Sequence, residues 1–121
     1  MTDTNVVTVV GRLTKDAELK HNTGLPIGFF TIATNRKKKN QGDNYVVEAS
    51  YFNVTTYGNY AELIIPRLKK GKTVCVVGSL KQERWKEAST KNQIEASYPV
   101  IDKSRVVITA DSIQILGNKS E

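Results

Sequence analysis

Three aromatic residues, Tyr51, Tyr57 and Trp85, and three groups of cations carry most of the chemistry this chain can offer. The cations are Arg36, Lys37, Lys38 and Lys39, then Lys69, Lys70 and Lys72, then Lys81, Arg84 and Lys86. Rings offer flat π-faces and cations offer positive charge, so the chemistry is non-covalent: stacking on nucleobases and pairing with phosphates. Read at a period of two, the run Tyr51 to Gly58 puts Phe52 and Val54 on one side and Tyr51, Asn53, Thr55 and Tyr57 on the other. A strand's wet face usually carries charge. Two tyrosines separated by an amide and a hydroxyl suit a surface that is touched, although tyrosines on strands also pack with the ring buried and the hydroxyl wet.

Covalent chemistry finds little support. A nuclease or other hydrolase needs clustered carboxylates for a metal, or a nucleophile beside a base. Asp16 and Glu18, Asp43 and Glu48, and Glu83 and Glu87 are instead scattered among lysines and turns. Cys75 stands alone in the apolar run Val74 to Val77, and His21 sits next to the turn residues Asn22, Thr23 and Gly24. The first reads as a small strand residue and the second as a surface residue, so no catalytic residue, metal site or cofactor is expected. The 121 residues suffice for one core and exclude a second folded unit. A net charge of +6 favours a polyanionic partner without identifying it. No apolar run approaches the roughly 20 residues of a membrane span, and Met1 to Asn5 resembles neither a secretory nor an organellar leader, so the expected location is the cytosol.

Strands must position these side chains. Val6 to Leu13 is β-branched and reads as the first; Ile27 to Asn35 follows, with Phe30 and Ile32 on one face and Phe29, Thr31 and Ala33 on the other. Arg36 to Asn44 reads as an exposed hairpin loop, and Tyr45 to Tyr57 as a third strand whose Phe52 and Val54 enter the core. Asn59 then caps a short helix with Ala61, Leu63, Ile64 and Leu68 as its apolar set; Pro66 makes the last turn irregular and Gly71 ends it. A fourth strand puts Val74, Val76, Gly78 and Leu80 on one face and Cys75, Val77, Ser79, Lys81, Glu83 and Trp85 on the other. Lys86 to Lys103 reads as a mobile excursion anchored at Tyr98-Pro99, and Arg105 to Leu116 as a last strand interrupted near Ala110-Asp111-Ser112. The predicted class is all-β: a five-stranded Greek-key barrel of the OB type with one short helix between strands three and four. The domain is expected to span residues 1–117, followed by a short polar end, 118–121.

Several stretches carry a resemblance: Gly11 to Leu19, Ala33 to Arg36, Phe52 to Glu62, Leu68 to Lys72 and Val77 to Trp85, in matching order. Together they resemble the bacterial single-stranded DNA-binding protein family over nearly the whole chain. The resemblance implies a homotetramer of OB domains, in the bacterial cytoplasm with the nucleoid, that binds single-stranded DNA with little sequence preference, protecting it during replication, recombination and repair. By matching motif positions, the stacking aromatics fall on Tyr51, Tyr57 and Trp85; a further tryptophan known in some members falls within Arg36 to Asn40, where this chain offers cations and an amide. Phe29 has outward parity and leaves two readings open, a fourth stacking ring or a contact between subunits. The three cation groups are the expected phosphate contacts. Asn53 and Asn59 stand where some members carry a cation, and Glu83 interrupts the basic end of the fourth strand. Tyrosine in place of tryptophan at position 51 implies shallower stacking there, with a larger share of affinity from Trp85 and Arg36 to Lys39. Family members usually end in an acidic tip that recruits replication and repair enzymes; this chain has none after Gly117, so it is either a truncated core or a member that recruits otherwise. The rival reading is an accessory, primosome-type OB protein that acts mainly through protein partners.

Overall fold

The computed structural model describes residues 3–22, 24–42, 44–88 and 100–118. Six strands, β1 (Val7–Leu13), β2 (Glu18–Asn22), β3 (Leu25–Lys39), β4 (Tyr45–Tyr57), β5 (Lys72–Ala88) and β6 (Val100–Asn118), accompany one helix, α1 (Gly58–Ile64), which runs into a 3₁₀ turn at Ile65–Arg67. Neighbours pair in the order β1-β5-β6-β4-β3, and β3 returns to β1 through Arg12↔Ala33 and Leu13↔Ile32, which closes the barrel. The extra strand, β2, pairs with β3 over Leu25 to Phe29, on the edge that β1 takes farther along. β1 and β2 are therefore two halves of one bent barrel strand, and the expected five-stranded OB barrel stands. They are interrupted because the backbone between them bonds elsewhere. The Ala17 N–H donates to the Leu68 carbonyl, the Gly71 N–H to the Leu13 carbonyl, and the Lys70 N–H to Asp16 Oδ1.

Period-two alternation builds the core. Phe30 and Ile32 on β3, Val54 on β4, Val74 and Val76 on β5, and Ile108 and Ile113 on β6 are all buried, with Leu13 closing one end. Each such side chain contributes about 1.5–3 kcal/mol of burial. α1 plugs the barrel with Ala61, Ile64, Ile65 and Leu68, whereas Leu63 is 73% exposed and leaves the expected apolar set. Positions 61, 64, 65 and 68 form one stripe at 3.6 residues per turn, and position 63 falls off it. Tyr57, not Asn59, is the N-cap residue, with no side-chain cap, and the chain turns from strand to helix through Gly58 at φ +76°, a conformation costly for residues with a Cβ. Pro66 does make the last turn irregular, as 3₁₀, and Gly71 at φ +88° ends the segment. The Tyr60 hydroxyl ties the helix to β6, donating to the Ile113 carbonyl and accepting from its N–H.

Phe52 was expected in the core but is 39% exposed. Its β3 partner Ile32 is buried, yet continuing the parallel register of Val54↔Ile108 by two residues puts Phe52 beside Val106, which is also exposed. That end of the barrel is open, and Leu80 on β5 lies exposed there too. The basic run Arg36 to Lys39 is not loop: it pairs with Tyr45 to Glu48, so β3 and β4 leave the barrel as a two-stranded ribbon. Both faces of a ribbon meet water, so it can carry cations that no core could. Only 40–44 form the connection, tightened by Asn40 Oδ1 accepting from the N–H groups of Gly42 and Asn44. Likewise β5 and β6 pair as far as Ala88↔Val100, so 86–88 and 100–103 are strand rather than excursion; Tyr98-Pro99 lies outside the described residues. The interruption expected near Asp111 is a bulge, with Val77↔Ser112 followed by Gly78↔Ala110. Glycine is required at position 78, because a Cβ there would overlap the Thr109 carbonyl oxygen.

Candidate nucleic-acid interface

The strand parity that sends Phe30 and Val54 inward sends Phe29, Thr31, Asn53, Thr55, Tyr51 and Tyr57 outward. Directly across the β3/β4 ladder, Phe29 faces Thr55, Thr31 faces Asn53 and Ala33 faces Tyr51. The Thr31 hydroxyl donates to Asn53 Oδ1, leaving the Asn53 amide nitrogen as a donor at the surface. β6 enters beside β4 through Thr55↔Thr109 and turns the outer face into a hollow of about 180 Å³. Phe29, Thr31, Asn53, Thr55, Arg105 and Val107 line it, with Lys15, Asp16 and Glu18 at one rim. Thr55, expected on a wet face, is therefore 2% exposed: it forms the floor of the hollow rather than its lip. The Thr55 and Thr109 hydroxyls, on facing residues, are buried without a hydrogen-bond partner.

Four rings on this outer surface have distinct surroundings. Tyr51 is 66% exposed. Tyr57, half-buried at the end of β4, has Lys81 Nζ 5.9 Å from its ring centroid. Phe29 has Lys20 Nζ at 5.6 Å, and Trp85, 41% exposed, has the Arg105 guanidinium at 5.8 Å. Arg105 is held there by Glu83, whose Oε1 accepts from Nε at 2.9 Å across the Glu83↔Arg105 pair. A cation over an exposed ring is worth about 0.5–1 kcal/mol, less than the about 1–3 kcal/mol of a base stacked on an aromatic. A base can therefore take the ring face while the cation moves aside to a phosphate.

The cations divide by parity. Lys81 shares the outward parity of Glu83 and Trp85, whereas Arg84 and Lys86 take the other side of β5, where Arg84 donates to Gln82 Oε1 and Lys86 Nζ lies 3.8 Å from Asp102. On the other ribbon Lys37 and Lys39 continue the parity of Tyr51, and Arg36 and Lys38 oppose it. Lys69 and Lys70 precede β5, which begins at Lys72, and the Lys70 N–H donates to Asp16, a residue that lines the hollow. Sequence reasoning missed Arg105. It had no signal, because its relation to Trp85 exists only through the β5/β6 register. Among the described residues no group of three or more His, Cys, Asp or Glu could hold a metal ion, and no helix is long and apolar enough to cross a membrane.

Rings, amides, hydroxyls and cations around a shallow hollow thus sit on the outer strands of a closed OB barrel. The chain belongs to the single-strand binding protein family, whose sequence model matches residues 4–116. It is 39% identical over 119 residues to the single-stranded DNA-binding protein of Treponema pallidum, covering 98% of this chain and 61% of that one. To its counterpart from Borreliella burgdorferi it is 35% identical, covering 99% and 74%. The fold is that of the Plasmodium falciparum SSB in its complex with ssDNA, with a TM-score of 0.76 at 22% identity over 96% of this chain and 97% of that one. A deletion mutant of the single-stranded DNA binding protein from Thermus aquaticus gives a TM-score of 0.75 at 24% identity, over 98% and 53%. The chain thus spans less than two thirds of the Treponema relative's length.

Proposed function

We propose that this chain binds single-stranded DNA stoichiometrically, with little sequence preference, and protects it during replication, recombination and repair. The observation that carries the reading is the outer surface from Phe29 and Asn53 to Tyr57 and Trp85, where three rings each have a cation within 6 Å of the centroid. Bases stack on Tyr51, Tyr57, Trp85 and Phe29. Phosphates meet Lys81, Arg105, Lys37 and Lys39 first, with Arg36, Lys38, Lys69, Lys70, Lys72, Arg84 and Lys86 adding to the surrounding field. Every base has a π-face, so selection by sequence is weak; paired bases hide those faces, so duplex is rejected. Binding of labelled oligo-dT challenged with unlabelled duplex of equal length tests this. Poor competition by duplex is expected, and equal competition would contradict the reading.

The protein works as a homotetramer in the bacterial cytosol. Support comes from β1, which pairs with β5 from Val7 to Arg12 but meets β3 only at Arg12 and Leu13. No strand among the described residues covers its remaining edge, and Val6 and Val10 are exposed along it. An open edge invites pairing with a second copy.

A further inference from the structure

Reading a base by its edge takes hydrogen-bonding side chains held in fixed geometry, and two such groups face the hollow on the barrel's outer surface. The Asn53 amide is fixed by the Thr31 hydroxyl, which donates to its Oδ1 at 2.9 Å and turns the nitrogen out as a donor. The Arg105 guanidinium is fixed through Nε by Glu83, which leaves its terminal nitrogens as donors. Both residues line the hollow. At the opposite rim, two strands away from Asn53, Glu18 stands on β2 beside Asp16, and Asp16 Oδ1 already accepts from the Lys70 N–H. Glu18, which is exposed, is therefore the carboxylate that a ligand meets. The hollow has donors on its β4/β6 side and an acceptor on its β2 side. Phe29, directly opposite Glu18 on one flank and Thr55 on the other, is the ring between them.

We infer that this hollow is a base-discriminating seat that favours guanine, within a surface that otherwise stacks bases without reading them. The inference rests on the function proposed above and adds selectivity at one position. Guanine is the base whose two edges match: O6 and N7 accept on one, as a guanidinium requires, and the N1 and N2 hydrogens are donated on the other. Asn53 and Arg105 then face O6 and N7, Glu18 faces N1 and N2, and Phe29 supplies the stacking wall. With any other base Arg105 turns to phosphate. Adenine puts an amine where O6 stands, donor against donor, and thymine has carbonyls on both sides of its N–H, so one of them meets the Glu18 carboxylate. Cytosine has the right polarity in a single ring, too short to engage both sides, since β2 and β6 lie three inter-strand steps apart, about 14 Å. Size fits one base. A cavity of about 150 Å³ takes a benzene ring, and this hollow of about 180 Å³, open to solvent, takes a base with its sugar and phosphate outside. Lys15, at the same rim as Glu18, is placed for that phosphate.

The test uses the full chain and compares oligo-dT carrying one central guanine with all-dT of the same length. The guanine oligomer is expected to bind about 5-fold tighter, the lower end of the range for a bidentate contact, because the hollow is open to water. In Asn53→Ala and Glu18→Ala, each checked for fold by circular dichroism, the ratio of the two affinities should fall to unity; a general change in charge moves both oligomers alike and cancels. Inosine, which lacks the N2 amine, should bind more weakly than guanine to the original chain and equally to Glu18→Ala. Equal affinity for the guanine and all-dT oligomers, beside normal binding of oligo-dT, would overturn this inference alone; no binding of either would sink the function reading as well. A preference shared by central adenine would overturn it by showing stacking on a larger ring system, and one shared by cytosine by showing a seat for any amine-bearing base. A guanine preference that survives both substitutions would place the reading groups elsewhere and overturn it too.

Discussion

Around Trp85 one carboxylate decides how a cation is used. Glu83 holds Arg105 across the ladder, and Arg105 in turn covers part of the Trp85 ring. Glu83→Gln should release the guanidinium to phosphate, raising affinity for oligo-dT at low salt and steepening the salt dependence by about one counterion. Lys81→Ala, at the Tyr57 ring, should act in the opposite sense, lowering the slope by about one; titrations across a salt series measure both. Rings and cations were thus legible as types long before their pairings were. Tyr51, Tyr57 and Trp85 stood out by parity and composition, but Arg105 lies twenty residues beyond Trp85, and only the register of β5 on β6 brings them together.

Strands that build the barrel announce themselves because a closed core enforces alternation, as in Phe30-Thr31-Ile32 and Val74-Cys75-Val76. Elements with little or no share in the core do not. β2 offers Leu19 as its single apolar residue, and the ribbon residues Arg36 to Lys39 are all charged, so neither shows a hydrophobic period. Their strand character comes from the neighbouring strand's backbone, which sequence periodicity does not report. The helix was legible in existence but not in its full face, since Ile65 rather than Leu63 completes the stripe of Ala61, Ile64 and Leu68. Beyond its buried apolar face, one hydroxyl ties it to β6. Tyr60→Phe leaves the Ile113 N–H and carbonyl without that partner, and should cost about 1–3 kcal/mol in urea unfolding without changing affinity for DNA.

The whole molecule is a basic barrel with two ribbons leaving it, β3/β4 and β5/β6, and each ribbon carries exposed aromatic and cationic side chains. Val6 and Val10, exposed beside and on β1, lie along the edge at which the proposed tetramer would form. Val10→Glu on that edge should lower the mass in light scattering, and a monomeric original chain at micromolar concentration would contradict the tetramer. The central claim, that bases stack on this barrel's outer rings, is tested most directly by Trp85, the only tryptophan in the sequence. Its fluorescence should be strongly quenched on titration with oligo-dT, with saturation that weakens progressively as salt is raised. A folded protein whose Trp85 emission stays unchanged by oligo-dT at low salt would contradict the account.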